Sequence, residues 1–447
     1  MKEKLKDKKE YFILSAIVLV LMLAVFLVGK VFPFGNNSFG CYDFYFQVLD
    51  TTASIFHAGG RANLFFTFDL ANGWSSFSSL FYACFSPFTV ILLLGGIQNI
   101  RFLFPLYIFL KFLTISLVAL FFIRKYFKSL NSCTQIIFAL LYTFGCYGFM
   151  SVTWCVWLDL MIYIPLAFIA FDYMQNTGKV RYLALVLALM ILTSFSIAIF
   201  TTLYSIVIFA LYIWLVVPKE NRKTICFKTI IAVTIALAST LFMVIPCLIE
   251  MMHSTRTGDL FTSIHESKTT KYFWVNFGLL LSSAVPIFLS VMFLFKNKLK
   301  TKTGKFYFYL FMLCIIPSLI NNINVAINFS AYAGYPLRLG ALFNFVFTFM
   351  ALKYLETRKK QETSERNVKI FFLPLILLCA VTFGVGLLIC FIVNQYTGNL
   401  SYNFDLNVNL LIPILLFAVT VLTIFLLTKF RKLNKKASKI FYCIIMS

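Results

Sequence analysis

Five polar residues between the first two long apolar stretches have the spacing of one helix face. They follow one another at intervals of 4, 3, 4 and 3 residues: Asp43, Gln47, Asp50, Ser54 and His57. At about 100° per residue these positions share one narrow side of an ideal helix, and the remaining circumference is largely apolar. The pattern predicts an amphipathic helix at a membrane surface, where carboxylates can do chemistry on a substrate presented from the lipid. The alternative is a set of solvated loop side chains.

Two ionisable residues lie inside apolar stretches. Asp159 follows Trp157 and Leu158, about one turn from the start of its stretch. A carboxylate there costs about 2.5–3.5 kcal/mol on insertion scales, so it is expected to face a cavity or a partner, or to make a polar contact between helices. Lys111 lies deeper in another stretch and requires a buried partner such as a carboxylate.

Two arginines are candidates for binding a phosphate. Arg338 follows Tyr335-Pro336-Leu337 at the start of an apolar stretch. A planar guanidinium matches two phosphate oxygens at once. The alternative for Arg338 is that it extends to the lipid headgroups. Arg61 is the weaker phosphate candidate.

The composition indicates an all-α polytopic membrane protein. Of 447 residues, 61% are hydrophobic and only 12% are charged, and the mean hydropathy is +0.90. A soluble domain of this length does not tolerate such a surface. Twelve stretches are long enough to cross the hydrocarbon layer: about 11–32, 102–123, 132–152, 155–171, 182–196, 198–217, 229–248, 273–295, 306–322, 338–355, 370–393 and 409–428. The pair at 182–217 is open to two interpretations, two spans or one long bent span.

The charges predict the orientation. With twelve spans and a cytoplasmic N-terminus, 31 of the 39 Lys and Arg residues fall on cytoplasmic segments, as the positive-inside rule requires. The net charge of +23 is therefore a signal of topology rather than of nucleic-acid binding. Residues 1–32 lack a small-residue cleavage site and are expected to form a retained anchor in the plasma membrane.

No segment between the spans is long enough to fold alone, so residues 1–447 are expected to form a single integral membrane domain. The largest outer loop is 33–101, and smaller ones lie at 250–272 and 321–337. In the large loop, Ser86 followed by Pro87 predicts a helix start, and the helix of residues 87–94 is too short to span. Cys41 and Cys84 lie on the same predicted side and are able to pair.

Several function classes lack support in the sequence. There is no Walker loop, no HExxH, no GxSxG and no metal-spaced set of Cys and His residues. ATP-driven transport and soluble-type hydrolysis are therefore not indicated. The Cys residues instead read as small apolar core residues.

Short motifs along the chain resemble the YfhO-like bacterial membrane proteins, relatives of the polyprenyl-phosphate-dependent glycosyltransferases of the GT-C fold. The resemblance covers most of residues 10–356 and keeps the order of the family's motifs. The matching elements are the DFYFQ run at 43–47, Asn72-Gly73, Ser86-Pro87-Phe88, Trp157-Leu158-Asp159 and Tyr335-Pro336-Leu337-Arg338.

The resemblance implies a GT-C-like fold and sugar transfer outside the membrane. The donor would be a monosaccharide on a polyprenyl phosphate, and the acceptor a cell-envelope polymer such as teichoic acid. Asp43 would act as general base on the acceptor hydroxyl, and Arg338, with Arg61 in reserve, would neutralise the leaving phosphate.

The remaining site residues take supporting roles in this reading. Asp159 would orient the acceptor or hold the Asp43 helix, while Gln47, Asp50 and His57 would bind substrate. Some members of the broader fold use a divalent cation, and the absence of a DxD cluster leaves metal use open.

Two other classes compete with a transferase. A transporter or flippase of lipid-linked sugar, or of another amphiphile, would use Asp159 and Lys111 as a relay or substrate site. An assembly scaffold would have no turnover.

Overall fold

A computed structural model describes about half of the chain. The described residues are 2–31, 33–35, 85–95, 99–145, 147–148, 155–193, 195–253, 284–296, 301–320, 323 and 338–361. These residues form helices and contain no β-strand. The predictions on Cys41 and Cys84, and most residues of the outer loops predicted at 33–101, 250–272 and 321–337, lie outside these residues.

Eleven α-helices and one 3₁₀ turn make up the described part of the chain. The 3₁₀ turn, Cys155–Trp157, leads directly into α5. The helices are α1 Lys2–Val28, α2 Thr89–Gly95, α3 Ile100–Tyr126, α4 Ser132–Thr143, α5 Leu158–Thr177, α6 Arg181–Thr193, α7 Phe195–Leu215, α8 Lys219–His253, α9 Ala284–Lys296, α10 Lys302–Leu319 and α11 Gly340–Gln361.

The helices confirm the prediction of an all-α, multi-pass membrane protein. Five are long and apolar enough to cross a membrane, within Lys8–Val28, Phe102–Tyr126, Cys155–Thr177, Ile197–Leu215 and Lys219–Ile249. Helices α4, α6 and α9 are apolar but shorter. The predicted spans 370–393 and 409–428 lie outside the described residues, so the count of twelve stays a prediction.

The ambiguous stretch at 182–217 forms two helices that run in opposite directions. Thr193, at the end of α6, contacts Tyr163 near the start of α5. The ring of Phe209, late in α7, stacks at 4.1 Å on that of Phe171, late in α5. The end of α6 thus lies beside the start of α5, and the end of α7 lies beside the end of α5. The chain therefore reverses direction between α6 and α7.

Charged side chains join the helices at one end of the bundle, which we call the basic end. Glu10 of α1 pairs with Arg124 of α3 and accepts a hydrogen bond from Ser132 of α4. Asp172 of α5 lies 3.8 Å from the Lys125 ammonium. These contacts place the start of α1, the ends of α3 and α5 and the start of α4 together.

Helix α11 also ends at the basic end. Glu356 accepts a hydrogen bond of 3.3 Å from Ser129, in the connection between α3 and α4, and it pairs with Lys353 at 2.8 Å. Therefore α3, α5 and α11 all begin at the opposite end, where α4 terminates. We call this the site end, because Asp159 and Arg338 lie at the starts of α5 and α11.

The middle of the bundle is packed with aromatic rings. The ring of Phe345 in α11 lies 4.9 Å from that of Phe122 in α3 and 4.8 Å from that of Phe168 in α5. Because lipid chains are as apolar as these side chains, helix association in a membrane depends on close packing rather than on exclusion of water. The rings thus hold three helices at a fixed spacing between the two ends.

The Glu10 contact predicts a loss of stability when its carboxylate is removed. Glu10→Ala removes the carboxylate that pairs with Arg124 and accepts from Ser132, at a cost of about 1–3 kcal/mol. Denaturation of the detergent-solubilised protein measures this difference. The neighbouring exposed Lys9 provides the control, since Lys9→Ala is expected to change stability by at most about 0.5 kcal/mol. Equal effects of the two substitutions would contradict the assignment.

Candidate functional site

Five of the predicted site residues belong to the large outer loop and lie outside the described residues. They are Asp43, Gln47, Asp50, His57 and Arg61. The structure locates the other two, Asp159 and Arg338, at the site end. The Ser86–Phe88 segment, at the far end of the same loop, is also located there by its contacts with Asp159 and Lys111.

Asp159 forms an ion pair with Lys111 in the interior of the bundle. The ammonium nitrogen of Lys111 lies 3.0 Å from Oδ1 of Asp159, and both side chains are 0% exposed. Asp159 belongs to the first turn of α5, and Lys111 lies near the middle of α3. The sequence indicated that Lys111 and Asp159 each require a buried partner. In the structure each is the partner of the other.

The ammonium of Lys111 has contacts in several directions. It donates a hydrogen bond of 3.0 Å to the carbonyl of Cys155, in the 3₁₀ turn that precedes α5. It also lies 4.5 Å from the ring centre of Tyr107 and 5.8 Å from that of Phe88. A cation over an aromatic face is stabilised by the ring quadrupole, most strongly where water is excluded. Lys111 thus connects α3, the turn before α5 and the segment before α2.

Asp159 has fewer contacts than its partner. Neither of its carboxylate oxygens accepts a hydrogen bond of ordinary geometry from the described residues. The buried hydroxyl of Ser86 lies beside the carboxylate. The positive charge of Lys111 is therefore what offsets the charge of Asp159 in this part of the chain.

The segment that contains Ser86 differs slightly from its prediction. Helix α2 begins at Thr89, two residues later than predicted, and it has 7 residues, which confirms that it is too short to span. The amide of Thr89 donates to the carbonyl of Ser86 at 2.9 Å, and the amide of Phe88 lies 3.4 Å from the Ser86 hydroxyl. This turn holds Ser86 and Phe88 against the ion pair.

Arg338 is buried at the start of α11. Its side chain is 4% exposed, and its carbonyl accepts a hydrogen bond of 3.4 Å from the hydroxyl of Tyr147. A side chain that extended to the headgroups would leave its guanidinium at the surface. Arg338 instead lies inside the bundle, and its binding of a phosphate stays a prediction.

Tyr142, near the end of α4, connects the elements that carry Arg338 and Asp159. Its hydroxyl donates to the carbonyl of Met161 in α5 at 2.9 Å. Its own carbonyl accepts a hydrogen bond of 2.9 Å from the Asn344 amide in α11. The buried acid and the buried arginine are thus held at the same end of the bundle by one residue that bonds to both helices.

An apolar cavity lies between α3, α5 and α11. It is lined by rings and aliphatic side chains that include Phe122, Pro165 and Phe345, and neither Asp159 nor Arg338 reaches it. Among the described residues, no three His, Cys, Asp or Glu side chains converge as a metal site would require. The charged groups that the described residues place at the site end are a buried ion pair and a buried guanidinium.

Long apolar helices with charged groups paired inside the bundle define a multi-pass α-helical membrane protein. The chain belongs to the bacterial membrane protein YfhO family, which matches residues 14–447. This match confirms the resemblance inferred from the short motifs. No curated protein and no solved structure matches the chain.

Lys111 was missing from the site predicted by sequence. The available signal was its position inside an apolar stretch, which required a buried partner. Sequence spacing did not identify Asp159 as that partner, because the two residues lie on different helices. The expectation that two isolated intramembrane charges of opposite sign pair with each other would have added Lys111 to the predicted site.

The ion pair predicts that Asp159→Asn is strongly destabilising. The substitution leaves the enclosed Lys111 ammonium without its counter-charge, which costs about 3–5 kcal/mol in comparable buried pairs. Asp172, on the same helix and half-exposed beside Lys125, is the matched control, and Asp172→Asn should cost at most about 1 kcal/mol. Chemical denaturation in detergent compares the two. A cost for Asp159→Asn no larger than that of the control would refute the importance of the pair.

Proposed function

We propose that this protein is a membrane glycosyltransferase of the GT-C type that acts at the outer face of the bacterial plasma membrane. It would transfer a monosaccharide from a polyprenyl phosphate to a cell-envelope glycan such as teichoic acid. The observation that supports it most is the burial of Arg338 at the site end, opposite the basic end. Membership of the YfhO family is consistent with this class.

Arg338 provides the charge that the donor half of the reaction requires. When the bond between the anomeric carbon and the phosphate oxygen breaks, the polyprenyl phosphate leaves with that electron pair and gains negative charge. A guanidinium fixed by a packed helix bundle stabilises this charge without reorganising. Its fork also binds two phosphate oxygens together, which orients the donor. Arg61, in the outer loop, is the second candidate for this role.

Asp43 is the proposed base for the acceptor half. Its carboxylate takes the proton from the acceptor hydroxyl as the hydroxyl oxygen bonds to the anomeric carbon. Gln47, Asp50 and His57 share the same predicted helix face and would bind the sugar or the acceptor. An amphipathic helix suits a donor whose lipid tail stays in the membrane while its sugar reaches the surface.

Asp159 serves as a support for this site. Because it is enclosed and paired with Lys111, its role in the proposal is to hold the outer-loop segment through the Ser86 contact. Of the two roles expected for Asp159, orienting the acceptor and holding the Asp43 helix, the proposal keeps the second, acting through the Ser86–Phe88 end of the loop that carries Asp43 in sequence.

The orientation belongs to the same proposal. A cytoplasmic N-terminus puts the basic end, with Lys8 and Lys9, next to the anionic lipids of the inner leaflet. The site end then faces outward, where lipid-linked sugars meet envelope polymers. Lipids and the two glycan substrates are the expected partners, and nucleic acid is not.

Asp43→Asn tests the proposed base. In a deletion strain complemented with the parent chain, compositional analysis of the cell-wall glycans should show one sugar substituent that the uncomplemented strain lacks. Asp43→Asn should remove at least about 99% of it, because general-base catalysis contributes roughly 10²–10⁴-fold. Asp69→Asn changes a carboxylate of the same loop outside the polar stripe and should retain the substituent.

The results of the glycan analysis also separate the competing classes. Unaltered glycans in the deletion strain would reject the transferase. A substituent that persists with Asp43→Asn would reject Asp43 as base and favour a transporter of the lipid-linked sugar. An assembly scaffold would likewise be indifferent to Asp43→Asn.

Arg338→Gln tests the proposed phosphate contact. Loss of a fixed cation opposite developing charge reduces transfer by roughly 10²–10³-fold. Arg338→Lys keeps the charge and loses the fork, so its activity should fall between that of Arg338→Gln and the parent. Incorporation of radiolabelled sugar into the envelope measures all three. Arg358→Gln, near the basic end of the same helix, should leave incorporation unchanged; equal losses at 338 and 358 would point to a general folding defect.

A further inference from the structure

The ion pair raises the question of why two charges are retained in an apolar interior. Removal of one buried partner is severely destabilising, whereas joint replacement of both by well-packed hydrophobic residues of similar volume is often neutral or stabilising. Stability alone therefore does not explain the pair. The position of the ion pair in the bundle indicates its role.

Three segments meet at the ammonium of Lys111. It pairs with Asp159 of α5 and donates to the Cys155 carbonyl of the preceding turn. The ring of Phe88, from the end of the outer loop, lies 5.8 Å away on another side. The ammonium is thus the common contact of the α5 entry and of the loop that carries Asp43 in sequence.

We infer that Lys111 is a positioning residue, which fixes Asp159 and the Cys155–Trp157 turn against the Ser86–Phe88 segment, so that this end of the outer loop is held at the site end. The inference rests on the proposed transferase function, and it goes beyond it by assigning a role to a residue that touches no substrate.

Lys111 rather than Asp159 is the organising member of the pair. The ammonium has two contacts at 3.0 Å, with Asp159 and with the Cys155 carbonyl, and it also lies over two rings. The contacts of Asp159, in contrast, are with the Lys111 ammonium and the Ser86 hydroxyl. Loss of Lys111 therefore releases the turn as well as the carboxylate, while loss of Asp159 leaves the bond to Cys155 in place.

The rate at which the Cys155 thiol is labelled measures how often the turn opens, and this measurement does not depend on sugar transfer. Its thiol is buried, as is that of Cys314 in α10, whereas the thiol of Cys226 in α8 is exposed. The detergent-solubilised chain is treated with N-ethylmaleimide, and labelling at each thiol is followed by peptide mass spectrometry. In Lys111→Met, Cys155 should label at least about tenfold faster than in the parent, because the turn opens locally. Cys314 should stay protected and Cys226 should stay reactive.

A set of four variants distinguishes positioning from simple charge balance. Lys111→Met, Asp159→Leu and the double variant are compared with Lys125→Met, which removes a half-exposed lysine from the same helix. The double variant contains neither charge, so it should regain the thermal stability that each single variant loses. Sugar incorporation in the deletion strain should nevertheless stay at least about tenfold below the parent, because the turn lacks its donor. Lys125→Met should incorporate sugar at the parental level.

Two results would overturn the inference. One is a Cys155 thiol that stays as protected in Lys111→Met as in the parent. The other is a double variant that regains both stability and sugar incorporation, since that would reduce the pair to charge balance. Failure of the proposed function gives a different pattern, in which the parent chain itself adds no sugar while Cys155 labelling still responds to Lys111→Met.

Discussion

A charge placed among apolar side chains has to meet its opposite, and this constraint organises the site end. Lys111 lies in α3 and Asp159 in α5. The distance of 3.0 Å between the ammonium nitrogen and the carboxylate oxygen fixes how these two helices face each other. The hydrogen bond to Cys155 extends the same constraint into the turn before α5. The direction of α5 as it enters the bundle therefore depends on one ammonium group.

The two ends of the bundle use charge differently. At the basic end the Lys125–Asp172 pair is partly exposed, so water shares in its solvation. At the site end Lys111, Asp159 and Arg338 are all buried. Partly exposed pairs contribute little to stability and suit a surface beside lipid headgroups. Buried charges cost energy to retain, which is why they point to function.

The helical class, most helix positions and the need of Lys111 and Asp159 for buried partners could be predicted from the sequence. Hydropathy is sufficient for this because a lipid-exposed backbone has to be helical. It did not identify Asp159 as the partner of Lys111, because pairing across 48 residues depends on packing. Nor did it show that α6 and α7 reverse direction, since Thr193 and Phe195 end and begin helices of nearly continuous hydropathy. The burial of Arg338 likewise depends on tertiary neighbours.

The reversal between α6 and α7 has a consequence for the helix beside it. Counted from Arg181, the 13 residues of α6 rise by about 20 Å, short of the roughly 30 Å hydrocarbon thickness. A connection between helices at membrane depth is tolerated only under protein or beside water. Met243 and Cys247 of α8 pack against Ile191 and Phe195, next to this connection. Helix α8 therefore provides the apolar cover under which the chain turns back.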